Sequence, residues 1–297
     1  MRKMLLCVAV MLSCSVLCAQ GQREQQLLAM HQQYRSAAAL SAQGRLLEAE
    51  IEMRKVVSSC SQVFGRSHPD TLTSRSDLAA TLAGEGKYAE AEKENRAVLA
   101  IRKEVLGAEH PDTLLSRNNL AAALQEQGRH AEAVREYRAV LAVRQRVLGT
   151  EHLVTLESRN NLATALNDQG RRTEAEKEHR AVLALRERLL GAEHPRTLDS
   201  RNNLAAVLQE QERHAEAERE HRQILSLRQK TLGERHPDVF LSWFNLALCL
   251  EARARFEEAA VCMRHALEGF KTSLGVDHPH TRYAGESLRR IESVAKR

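Results

Sequence analysis

Asparagines return in register along this chain. Asn118 and Asn119, Asn160 and Asn161, and Asn202 and Asn203 occur as pairs, and Asn245 occurs alone, at steps of 42 residues. A carboxamide both donates and accepts, so a column of them can grip the backbone of an extended peptide whatever its side chains are. The same groups can instead hydrogen-bond between neighbouring helices and only set their spacing; the sequence leaves both roles open. Asp77 stands at the matching place one period earlier. Arg117, Arg159 and Arg201 sit one or two residues before the Asn pairs. They offer charge to an acidic peptide, or aliphatic stems to cover a helix interface.

Histidine recurs too, at His68, His110, His152, His194, His236 and His278. Zinc needs three or four ligands converging on one point. Residues one period apart on stacked units sit roughly 10 Å apart on the helix-packing distance. These histidines therefore read as helix caps, with no metal centre expected. His179 and His221 occupy the place of Tyr137 and read as packing residues. Of the six cysteines, Cys7, Cys14 and Cys18 fall near the N-terminus. Cys60, Cys249 and Cys262 lie in helical apolar stripes and read as small buried side chains, with a Cys249–Cys262 disulfide conceivable if the chain is exported. The sequence carries no nucleophile elbow, phosphate loop, HExxH or paired-carboxylate signature. No catalysis and no cofactor are expected.

The element that positions these residues is a repeat. The stretch NNLAAALQEQGRHAEAVREYRAVLAVRQRVLG begins at Asn118 and returns, little changed, from Asn160 and from Asn202. A fixed period of this size marks a solenoid or array. Ala, Leu, Glu, Arg and Gln dominate, all strong helix formers, with only five Pro, so the chain reads as all-α. Gly65, Gly107, Gly149, Gly191, Gly233 and Gly275 each close a helical run with a left-handed cap, and five of the six turn histidines then precede Pro. Asp70, Asp112 and Asp238 are placed to accept from the first free N–H groups of the next helix. A second break falls mid-repeat at Gly44, Gly86, Gly128 and Gly170, with Glu212 and Arg255 assigned to that place later. The spacing predicts hairpins over 23–64, 70–106, 112–148, 154–190, 196–232 and 238–274, each a shorter helix A and a longer helix B. A last helix from His280 covers the end of the stack. In the hairpin 112–148, Leu120, Ala121 and Leu124 face the core from helix A; Ala133, Tyr137, Val140, Leu141 and Val147 do so from helix B. That leaves Asn118, Asn119, Ala122 and Gln125 to face the groove of the array.

Leu-Ala in helix A, a mid-repeat Gly, then Ala and Tyr in helix B resemble the tetratricopeptide pattern, with Arg75, Arg117, Arg159 and Arg201 where Trp is usual and only Trp243 restoring it. The 42-residue period, N-N-L-A in helix A, A-E-A in helix B and L-G-x-x-H-P-x-T between repeats are similar to the repeats of kinesin light chains. The resemblance runs from about 65 to 297. It implies a right-handed α-solenoid of about six tetratricopeptide hairpins with a C-terminal capping helix, occupying 23–297. It also implies an Asn ladder, here Asn118, Asn119, Asn160, Asn161, Asn202, Asn203 and Asn245, that holds a protein or peptide partner. Kinesin light chains carry a heptad coiled coil for the motor, and no sustained heptads precede residue 65. Among bacterial proteins of this type are partners of bacterial tubulin, which implies a tubulin-type filament as one candidate partner.

The formal charge is +5, and +3 without Arg2 and Lys3, with acids and bases interspersed. A nucleic-acid stripe needs clustered Lys and Arg, so no nucleic-acid partner is expected. Residues 1–19 have a basic start, an apolar stretch and small residues before Ala19, the layout of a signal peptide. Export to the periplasm or cell envelope is the first reading. Lipidation at Cys14, an uncleaved tether holding a cytoplasmic array at the membrane, and a start codon assigned too early remain open. The functional expectation is a non-catalytic scaffold; an edge-binding linker between filament and membrane and a regulatory ligand sensor are the alternatives.

Overall fold

The computed structural model describes residue 25 and residues 27–296. The segment 1–19, with Cys7, Cys14, Cys18 and the question of export, lies outside the described residues. Among the described residues every regular element is a helix, thirteen in all. Backbone contacts divide the chain into two compact units, up to Glu136 and from Tyr137 onward. The first holds α1 (27–42), α2 (Leu46–Phe64), α3 (Pro69–Gly84), α4 (Tyr88–Leu106), α5 (Pro111–Glu126) and the start of α6 (His130–Leu148). The second holds the rest of α6 and α7 (Leu153–Asp168), α8 (Arg172–Leu190), α9 (Pro195–Glu210), α10 (His214–Leu232), α11 (Pro237–Ala252), α12 (Phe256–Leu274) and α13 (Pro279–Ala295).

Each A helix starts in the same way, one residue earlier than expected. His68, His110, His152, His194, His236 and His278 are the N-caps, and Nδ1 of each accepts the N–H two residues on, at 3.1–3.3 Å. Proline at the first helical position fits, since its missing N–H would have no partner there; Leu153 takes that place once. The aspartates therefore do not cap. Asp70, Asp112 and Asp238 are the second helical residues, and their own N–H groups are the ones donated to histidine. The glycine that ends helix B also departs from the left-handed cap: Gly65 has φ 90° and ψ 165°, a region open only to glycine. At the mid-hairpin turn, Gly170 (φ 83°) is followed one period later by Glu212 (φ 61°) and then Ala254 (φ 56°). Ala254, not Arg255, is the residue at that place.

Within each unit, consecutive helices pack on one another, and alternate A helices approach across the hairpin between them, α3 with α5 and α7 with α9. Leu78, Ala79 and Leu82 of α3 meet Met53, Val56 and Ala91 in the first unit. Leu204 and Leu208 of α9 meet Leu183, Ala217 and Cys249 in the second. Burying such a leucine contributes about 1.5–3 kcal/mol. In the 112–148 hairpin all the expected core residues are buried except Val147, near the end of helix B, which is 54% exposed. Ion pairs also bind one hairpin to the next. Lys87 holds Glu50 (2.5 Å) and Arg129 holds Glu92 (2.8 Å) in the first unit; Arg213 holds Glu176 (2.8 Å) and Arg255 holds Glu218 (2.7 Å) in the second.

The last hairpin departs from its predecessors at Gly269, where the earlier B helices carry Ile101, Val143, Leu185 and Leu227. A Cβ on Gly269 would fall inside the ring of Phe240, itself in the place of Leu198. We expect Gly269→Ala to destabilise the protein by about 1–3 kcal/mol, because the overpacked ring has to leave its seat and this exceeds the helix-propensity gain of about 1 kcal/mol. Thermal unfolding of the variant checks this; an unchanged or raised midpoint would contradict it. Cys60, Cys249 and Cys262 are buried free thiols, so the conceivable Cys249–Cys262 bridge is absent from the structure. Burial pushes both Cys249 and Cys262 up to about 11, which suits inert packing residues.

Candidate peptide-binding face

The seven asparagines occupy the same place in successive A helices: Asn118 and Asn119 on α5 in the first unit, and Asn160, Asn161, Asn202, Asn203 and Asn245 on α7, α9 and α11 in the second. All seven are half-buried. Leu120, Ala121 and Leu124 turn inward beside them, while Ala122 is exposed.

What the amides do is more specific. In the second unit Asn203 Nδ2 donates to Asn160 Oδ1 at 3.0 Å, and Asn245 Nδ2 donates to Asn202 Oδ1 at 3.0 Å. Each is a rung joining two A helices, between residues 43 apart. Both roles left open by the sequence are thus compatible: a rung uses one donor and one acceptor, while Asn203 Oδ1 and Asn160 Nδ2 keep capacity for a ligand backbone. Asn118 and Asn161 are engaged as well. In the first unit the 43-residue relation is met by Tyr34, whose hydroxyl donates to Asp77 Oδ2 at 3.0 Å. The Asp77 carboxylate raises the Tyr34 pKa, and burial raises that of Asp77. Asn95, buried on α4, donates Nδ2 to the backbone oxygen of Asn119 at 3.3 Å.

The arginines at the usual Trp place each pair with a glutamate of their own hairpin, and Arg201 also with one of the hairpin before it. Arg75 bonds Glu94 (2.9 Å) and Arg117 bonds Glu136 (2.5 Å) in the first unit. In the second, Arg159 bonds Glu178, and Arg201 bonds both Glu220 (2.7 Å) and Glu187 (2.5 Å). They are half-buried and charge-balanced, so they do not present free cations to an acidic ligand. Trp243, at the same place in the last hairpin, stacks on His265 with centroids 4.8 Å apart.

A second column of residues escaped the sequence reading. Arg102 in the first unit and Arg144, Arg186 and Arg228 in the second lie on helix B with their guanidinium groups turned inward. Each donates to a serine on the next A helix, Ser116, Ser158, Ser200 and Ser242, at 2.7–3.1 Å, and to a carbonyl of that helix's first turn. Arg186 is only 5% exposed, and burial pushes its guanidinium below the usual value while Glu157 pulls the other way. The signal was available: Arg recurs at this place and gives way to Phe270, an apolar residue, in the last hairpin. His179 and His221 are buried to 1% and 3% exposure, and His221 Nε2 donates to Gln209 Oε1 at 3.1 Å. The six turn histidines are occupied as caps, and among the described residues no three His, Cys, Asp or Glu side chains converge on a common point.

The sequence pattern of the family described as "Tetratricopeptide repeat" matches residues 28–104, 76–146, 112–177, 155–222 and 199–272. No curated protein sequence matches the chain. Among solved structures, the nearly identical TPR-like repeats of a Podosopora anserina protein described as a kinesin light chain are 30% identical, over 68% of this chain and 96% of that one, with a TM-score of 0.58. BtubC (BKLC) from P. vanneervenii is 23% identical over 84% and 94%, with a TM-score of 0.57. A Rap protein complexed with competence and sporulation factor is 12% identical over 93% and 79%, with a TM-score of 0.62. The last two likenesses concern the fold alone. With its repeating hairpins, its 43-residue rungs and this match over most of its length, the chain belongs to the tetratricopeptide repeat family, with repeats of the kinesin light chain type.

Proposed function

We propose that this protein is a non-catalytic interaction scaffold whose A-helix face holds an extended segment of a protein partner. The observation that carries the reading is the pair of amide rungs in the second unit, Asn203 with Asn160 and Asn245 with Asn202, in which Asn203 Oδ1 and Asn160 Nδ2 are left for a further bond. Such groups recognise backbone, which leaves sequence preference to the residues around them. The test is an array of random acetylated nonapeptides probed with the full chain and with Asn119→Ala, Asn202→Ala and Asn203→Ala variants. We expect binding to weaken about tenfold per lost amide contact while each lost rung costs about 1 kcal/mol of stability. Binding that ignores these substitutions would move the contact surface elsewhere, and an array with no bound peptide would end the reading.

The likeness to BtubC supports a second reading, a linker that joins a bacterial tubulin-type filament to a membrane by its edges. It differs in predicting that the Asn variants leave the filament bound in co-sedimentation. Residues 1–19 bear on both readings. We infer from their sequence that they direct export or tether the chain, and the intact mass of the mature protein from fractionated cells tests this. A chain beginning after Ala19 in the envelope fraction fits an exported scaffold, and a full-length chain in the membrane fraction fits the linker.

A further inference from the structure

One rung in the first unit is open. Ser76 stands where the second unit has Asn160 and Asn202, and its partner 43 residues on is Asn119. The serine is too short to reach across, and its hydroxyl donates back to the Leu72 carbonyl at 3.0 Å. The next contacts along the same pair of helices are missing as well. In the second unit Glu210 is held by Asn167 (2.9 Å) and by Arg172 (3.3 Å). The corresponding residues two periods earlier are Glu126, Ala83 and Tyr88, and neither alanine nor tyrosine replaces the lost donors. Among the described residues nothing pairs the exposed Glu126 carboxylate.

These substitutions leave a cavity of about 390 Å³. Its floor is alanine, including Ala79, Ala80 and Ala123, and its walls are Tyr88, Asn95, Asn119 and Glu126. Ala80 also lines an adjoining hollow of about 420 Å³, bounded by Tyr34 and Asp77. The two hollows carry two carboxylates and no Lys, Arg or His among their lining residues. The nearby Arg75 and Arg117 are already neutralised by Glu94 and Glu136.

Resting on the groove reading above, we infer that this open rung is where the partner is selected, and that it takes a lysine or arginine side chain from an extended segment. The aliphatic stem lies along the alanine floor. The cation meets Glu126, with the Tyr88 ring beside it, and the Asn119 carboxamide bonds the segment's backbone in place of the absent rung.

The test uses acetylated nonapeptides with Lys, Arg, Glu, Leu or Trp fixed at the centre and random flanks, with dissociation constants from fluorescence anisotropy. We expect Lys- and Arg-centred pools to bind about tenfold more tightly than the others, and Glu126→Gln to remove that preference. Ser76→Asn restores the rung found in the second unit. We expect it to weaken binding about tenfold or more while the thermal midpoint holds or rises, so a folding failure cannot imitate the result. Preference for Glu, Leu or Trp centres, or affinities unchanged in both variants, would overturn this inference and leave the groove reading standing. No binding by any pool would overturn both.

Discussion

Between pH 6.5 and 4 we expect the protein to lose about 3 kcal/mol of stability for each of His179 and His221. Both imidazoles are buried, and burial pushes each down from 6.5 to about 4 in the folded protein. For His179, Glu178 pulls the value up and Arg186 pushes it further down; both effects are smaller than burial. Above pH 6.5 the ring is neutral in both folded and unfolded chains, and proton binding contributes nothing to the difference. As the pH falls below 6.5 the unfolded chain takes up a proton that the folded chain refuses, so folding weakens by about 1.4 kcal/mol per pH unit for each histidine. The loss is complete below about pH 4. Carboxylates held by arginine, such as Glu176 and Glu218, have lowered values, so their own contribution begins to be lost only as the pH falls through about 4.5, at the foot of this window, and continues below it. The measurement is the urea midpoint across pH 7.5 to 4.5 for the wild type, His179→Tyr, His221→Tyr and the double variant. Tyrosine is the residue at the same place in the preceding repeat, Tyr137. The double variant should lose most of the slope; an undiminished slope would show that these histidines are not its source.

Arg186→Ala lowers stability by about 3–5 kcal/mol. Its guanidinium donates to Ser200 Oγ at 2.7 Å and to the Arg196 carbonyl at 2.9 Å. A hydrogen bond from a charged group contributes about 1.5–3 kcal/mol. The truncation also leaves a space where the stem was packed. Part of the polar loss is relieved, because the Ser200 hydroxyl still donates to the Arg196 carbonyl at 3.1 Å. Arg186→Met refills the stem volume without the donors, and it should recover about half of the loss. Arg188→Ala, two residues on, removes only an exposed pair with Glu151 and should stay within about 0.5 kcal/mol of the wild type. Chemical denaturation of the three variants separates these outcomes. If Arg186→Ala fell within about 1 kcal/mol of the wild type, the inward arginine would be a passenger rather than a tie between helices.

The hairpins, their order and the face carrying the asparagines were legible because each follows from local pattern: glycine and histidine-proline at fixed intervals, and apolar residues at helical spacing. The rungs were not, because a carboxamide beside a carboxamide in sequence says nothing about which atoms of the next repeat it meets. Arg186 illustrates a different failure. Arginine reads as a solvated residue in any periodicity argument, and only the packing of the next A helix shows that it is enclosed. Val147 failed in the opposite direction, since an apolar residue in register with the core stripe is exposed in the last turn of its helix. The open rung had a trace in the sequence, Ser76-Asp77 where later repeats read Asn-Asn, but its meaning depended on Ala83 and Tyr88 facing the same space.

The rungs, the ion pairs between hairpins and the inward arginines all connect a residue to its counterpart at a fixed offset in the following repeat. Loss of one whole period from the gene, by unequal recombination between near-identical segments, therefore breaks nothing in kind. Deleting 195–236 from the second unit would bring Asn245 opposite Asn160 in the way Asn203 now stands, Ser242 opposite Arg186 and Arg255 opposite Glu176. Each interface depends only on its nearest neighbours. Natural length variants that gain or lose multiples of one period should thus remain foldable, whereas an insertion of another length within a helix puts the ties across that one interface out of register.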